Sequence, residues 1–133
     1  MTTVRGSANT RRVVSALGAA ALYGTWAFHA NHGHGLGRAG RAALTQVCTS
    51  FLLTVLVVSV VEALFRVPER AWARVALSTA GAVLVTMAVT VTAHTLAGTP
   101  ELLRTVALSF TLGTALNLGY ALNLLRLLAR PRR

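Results

Sequence analysis

Apolar residues fill four long blocks of this chain, and the charged residues stand at or near the joints between them. The blocks cover residues 13–31, 42–65, 72–97 and 102–128. Each matches the run of about 20 residues that a helix needs to cross a bilayer's hydrocarbon. The pattern predicts an all-α, polytopic membrane protein: one domain over 1–133, built of four transmembrane helices. Two joints carry helix-start chemistry. Thr99-Pro100-Glu101 offers an N-cap, a proline at the first helical position and an acid in the first turn. Pro68-Glu69 is expected to start the third helix in the same way.

Composition supports the same class. Only 12% of the 133 residues are charged, against about 25% in an ordinary soluble domain. The net charge of +10 raises nucleic acid as a partner, but the arginines flank apolar blocks, where lipid headgroups lie, so no nucleic-acid partner is expected. All 13 basic residues are Arg. With the abundance of Ala, Gly, Val and Leu, this points to a bacterium of high GC content and to its plasma (inner) membrane.

The arginines also predict orientation. Arg5, Arg11 and Arg12 precede the first block, Arg66, Arg70 and Arg74 surround the middle joint, and Arg126, Arg130, Arg132 and Arg133 end the chain. Arg38, Arg41 and Arg104 serve the other two joints. Ten against three places both termini and the middle joint in the cytoplasm. Trp26 and Trp72 fit interfacial anchors. Arg11-Arg12 before an apolar stretch resembles an export signal, but Thr25-Trp26-Ala27 is a poor cleavage site, so the first span is expected to be retained.

A shift of 63 residues lays the first hairpin on the second without a gap. Arg11 meets Arg74, Ser15 meets Ser78, Gly18 meets Gly81, Gly35 meets Gly98 and Arg41 meets Arg104. Two hairpins of like orientation imply a parallel repeat about an axis along the membrane normal. Chance similarity in an Ala-rich chain is the competing explanation.

Polar and small residues recur at helical spacing in every block: Ser15, Gly18, Ala19 and His29; Thr45, Cys48, Thr49, Ser59 and Glu62; Thr79, Thr86, Thr90 and His94; Ser109, Gly113, Asn117, Tyr120 and Asn123. Helix packing explains such stripes. A polar pathway or ligand cleft also would, with Asn117, Tyr120, Asn123, Thr86 and Thr90 as its candidates, since an amide in hydrocarbon needs a partner. Cys48, the single cysteine, is expected to be a packing residue.

The segment from His29 to Gly37 contains His29, His32 and His34, and His94 closes the third span on the same side. In an extended glycine-rich loop these imidazoles could converge on zinc or another divalent transition metal, with Glu101 as a further ligand, or could sense pH. An ordinary interfacial loop is the alternative, with no cofactor. There is no Asp for a Ser-His-Asp triad and no carboxylate pair, so no enzyme is expected.

Length and span number are similar to those of small multidrug transporters and fluoride channels. The first span lacks the embedded Glu of the former, and no Gly-Gly-Thr-Thr-Phe-Ser-like segment of the latter occurs. Three functional readings follow. The first is a non-enzymatic oligomer or accessory subunit of an envelope complex, with the lipid bilayer and a second copy or another membrane protein as partners. The second is a small transporter or channel with its pathway along the fourth helix. The third is a metal-binding or pH-sensing protein acting at the outer face.

Overall fold

The computed structural model describes residues 3–129, with side chains from 17 onward except 55, and Val14. Arg130, Arg132 and Arg133 and the side chains of Arg5, Arg11, Arg12 and Ser15 lie outside the described residues. The rest is helical: α1 (Thr3–Asn31), a single 3-10 turn (His32–His34), α2 (Leu36–Phe65), α3 (Ala71–Leu96) and α4 (Leu102–Leu128). Among the described residues α2, α3 and α4 are long and apolar enough to cross a membrane.

Helices α3 and α4 match their apolar blocks to within a residue, whereas α1 and α2 outrun theirs. Helix α1 reaches back to Thr3, and α2 starts at Leu36, six residues before its expected start. Hydropathy marks where hydrocarbon ends, whereas a helix continues until its backbone is broken. After α1 the break is Gly35, at φ 94°, a conformation that L side chains rarely adopt. The expected extended loop is therefore a tight turn. The predicted starts of α3 and α4 also differ in detail. Arg70 and Glu101 occupy the N-cap positions, and neither caps with its side chain. The Thr99 hydroxyl instead faces His94, at 2.9 Å.

Consecutive helices pack side by side, and α4 returns to α1. Helices α1 and α4 are tied at the end that carries the histidines. Trp26 Nε1 donates to the Arg104 carbonyl at 2.9 Å, and Asn31 Nδ2 donates to Thr105 Oγ1 at 2.8 Å. Toward the other end, the arginine end, α1 departs. Its buried face includes Ala20, Gly24, Ala27 and Asn31, yet Leu17, one heptad before Gly24, is 58% exposed.

The interior is small and polar, and the outside is large and apolar. Of the seven largest fully buried side chains, six are polar: His94, Gln46, Asn31, Thr90, Thr105 and Ser78. Leu84, Leu96 and Leu103 face outward. This inverts the polarity of a water-soluble bundle and fits a lipid surround. Many hydroxyls are satisfied by their own helix: Thr45, Thr49, Thr54, Ser78, Thr105 and Thr111 each donate to the carbonyl four residues earlier. Thr45 and Thr49 of the expected stripes are thus engaged in helix-internal bonding.

Positions 63 apart correspond at the histidine end. The two positive-φ residues, Gly35 and Gly98, are such a pair. So are Asn31 and His94, both wholly buried. The correspondence fades toward the arginine end, where Gly18 has open space around it while Gly81 lies against Leu64.

Candidate functional site

Gln46, the only glutamine in the chain, organises the polar interior. Its Oε1 is 2.8 Å from His94 Nε2, and its Nε2 donates to Ser50 Oγ and Ser109 Oγ, each at 3.0 Å. The amide oxygen can only accept, so His94 donates from Nε2 and its Nδ1 accepts from Thr99. Helix α2 supplies Gln46 and Ser50 one turn apart, α3 supplies His94 and α4 supplies Ser109, so one side chain joins three helices.

Asn31 performs a similar task at the seam between α1 and α4. Besides Thr105, its Nδ2 donates to the Ala27 carbonyl at 2.9 Å, and its Oδ1 accepts from the Glu101 backbone N–H at 2.9 Å. It thereby satisfies a donor at the start of α4 that no local side chain caps.

Below this network a cavity of about 280 Å³ opens between all four helices. Gln46, Ser50 and Ser109 form its polar end, and Leu53, Val57 and Val61 line its apolar middle. Asn117 and Tyr120 close it toward the arginine end, where the Tyr120 hydroxyl donates to Glu62 Oε1 at 2.7 Å. Ala19 and Tyr23 are the contribution of α1. Leu116 of α4 also lines it and is 67% exposed, so the mouth lies on the flank that α1 leaves uncovered. Among the described residues no carboxylate, imidazole, guanidinium or thiol belongs to the lining.

Four of the five pathway candidates meet here: Thr86, Thr90, Asn117 and Tyr120 line the cavity. Asn123 does not, and it is exposed on α4. Gln46 and Ser50 escaped the sequence reading. The signal was available, a lone amide and a hydroxyl four residues apart inside an apolar block.

The histidines divide into separate groups. His29 and His32 stack with ring centroids 5.5 Å apart, and His34 pairs with Glu101 at 2.9 Å. His94 joins neither, since both of its ring nitrogens are engaged inside the bundle. Among the described residues no three His, Cys, Asp or Glu side chains come together as a metal-binding group. Cys48 is exposed rather than packed in the interior. Comparison with protein-family models, curated proteins and solved structures gives no match.

Proposed function

We propose that this chain is a four-span membrane protein that takes an uncharged small molecule into the cavity between its helices, as a small transporter or carrier with its path along α4. The cavity carries this reading. It joins polar groups from all four helices around an apolar middle, the usual composition of a small-molecule site. A lining without charge favours a neutral occupant, because an ion there would go unpaired. The absence of acid, base or thiol from the lining favours binding over catalysis.

In this proposal α1 is the fourth span, and the arginine end faces the cytoplasm of a bacterial plasma membrane, as the distribution of Arg supports. The paired positions Gly35 with Gly98, Asn31 with His94 and Gln46 with Ser109 support a duplicated hairpin.

Thiol labelling tests the reading. In a Cys48→Ala background, a maleimide should modify Asn117→Cys and spare Leu118→Cys, which faces outward on the same helix. The thiolate is the reactive form and needs water, which the polar groups of the lining would hold even where the mouth meets lipid, so the cavity position labels and the lipid-facing one does not. Equal labelling of the two would refute a distinct cavity.

A second reading, an oligomeric or accessory subunit, draws on the outer face of α4. There Gly119 and Asn123 are both exposed one turn apart, and a small residue beside an amide suits helix association.

A further inference from the structure

The hydrogen bonds at the polar end of the cavity leave a specific surplus. Ser50 and Ser109 each accept from Gln46, so each hydroxyl has a hydrogen to donate. Neither hydrogen meets an acceptor among the described residues. Thr90 is only 1% exposed, and its hydroxyl has no hydrogen-bond partner. Unlike its neighbours on other helices, it does not bond to the carbonyl one turn back. It sits four residues before His94 and so on the same face, at the level of the Gln46 network. All three residues line the one cavity. A buried hydroxyl without a partner, as at Thr90, costs about 1–3 kcal/mol, so this donor and the two spare serine hydrogens around one space call for an acceptor.

We infer that Ser50, Thr90 and Ser109 form a head site for the carbonyl or ether oxygen of a neutral, largely apolar molecule, whose body fills the space beside Leu53, Val57 and Val61. This assignment rests on the cavity reading above. Gln46 is the positioning residue. Its amide fixes the two serine oxygens, and His94 fixes the amide. The surplus is one of donors, so an acceptor is selected over an alkane of the same size. The lining offers no cation, so a carboxylate or phosphate is excluded on desolvation grounds.

The test uses the full chain in lipid nanodiscs and two probes, an acyl-dimethylaminonaphthalene ketone and its alkyl analogue lacking the carbonyl. The ketone emits at longer wavelength when its carbonyl accepts hydrogen bonds. Wild type should bind the ketone saturably, above empty nanodiscs, and about tenfold more tightly than the analogue. Ser50→Ala, Ser109→Ala and Thr90→Val should each weaken the ketone about fivefold and shift its emission to shorter wavelength, leaving the analogue unchanged. Thr90→Ser, which keeps the hydroxyl, should restore the wild-type values. Gly113→Phe, whose side chain would project into open space at the lining, should abolish binding of both probes.

Equal affinity for the two probes in wild type, with both lost in Gly113→Phe, would overturn the head site and leave the cavity reading standing. So would hydroxyl variants that weaken both probes alike. Absence of saturable binding of either probe to wild type would overturn both.

Discussion

Gln46 and Ser109 stand 63 positions apart in the chain and are joined by a 3.0 Å hydrogen bond. Residues related by a two-fold axis meet each other only where they lie close to that axis, so this bond would mark its position between the hairpins. The buried pair Asn31 and His94 has one member in each hairpin. Each reaches from the first helix of its own hairpin to the second helix of the other, Asn31 to Thr105 and His94 to Gln46.

Gln46→Leu should destabilise the protein by about 2 kcal/mol, because it leaves the His94 Nε2–H buried without an acceptor. The double variant Gln46→Leu, His94→Leu should lose less than the sum of the singles. Reversible unfolding in mixed micelles measures all three. Strict additivity would show that the two side chains do not act together.

Asn31→Leu should cost about 1–2 kcal/mol by the same measurement, since it strands the Glu101 N–H and removes the tie to Thr105. The loss should appear mainly as faster hydrogen exchange at the first turn of α4. Unchanged exchange there would contradict the capping role.

Gly18 and Gly24 of α1 should answer oppositely to alanine. At Gly24 a Cβ would come within 2.6 Å of Val47 Cγ2, and a β-branched side chain has little freedom to yield. The expected cost is about 1 kcal/mol or more. Gly18 has open space, so Gly18→Ala should stabilise by about 0.5–1 kcal/mol through helix propensity. Similar effects at both positions would place α1 differently.

Reporter fusions after Arg133 and between Arg66 and Arg70 should read cytoplasmic, and a fusion at Gly37 should read external. Replacing Arg66, Arg70 and Arg74 together should weaken that bias more than replacing Arg38 and Arg41. A cytoplasmic signal at Gly37 would reverse the proposed orientation.

Any zinc taken up at the histidine end should depend on His29, His32 and His34 and not on His94. Zinc titration followed by calorimetry should give the same affinity for wild type and His94→Gln, and a weaker one for the His32→Ala, His34→Ala double variant. A loss in His94→Gln as large as in the double variant would mean that His94 leaves its bonds to Gln46 and Thr99.

The four helices were legible because lipid-length apolar runs are a strong signal. The starts of α3 and α4 were legible to within a residue, but that of α2 was not, because Arg38 and Arg41 interrupt hydropathy without interrupting a backbone free to stay helical. Of the polar stripe expected on α4, Asn117 and Tyr120 line the cavity and Asn123 is exposed. Asn123 stands five full turns from Thr105 and so on the same side of α4; Thr105 is covered there by Asn31 of α1, while Asn123 lies near the arginine end and is exposed. Gln46 passed unnoticed although Ser50, one helical turn on, marks the same face of α2 as polar.

The uncovered flank of α1 gives the cavity a mouth directed sideways. In a bilayer that mouth opens onto acyl chains, so an occupant arrives from solution in lipid. Its working concentration is then set by partitioning. Each methylene adds about 0.8 kcal/mol toward the membrane, and five of them enrich a solute roughly a thousandfold over the aqueous phase. A pocket whose own grip is weak would still fill. Selection among solutes would fall to the few polar atoms that lipid tails cannot imitate.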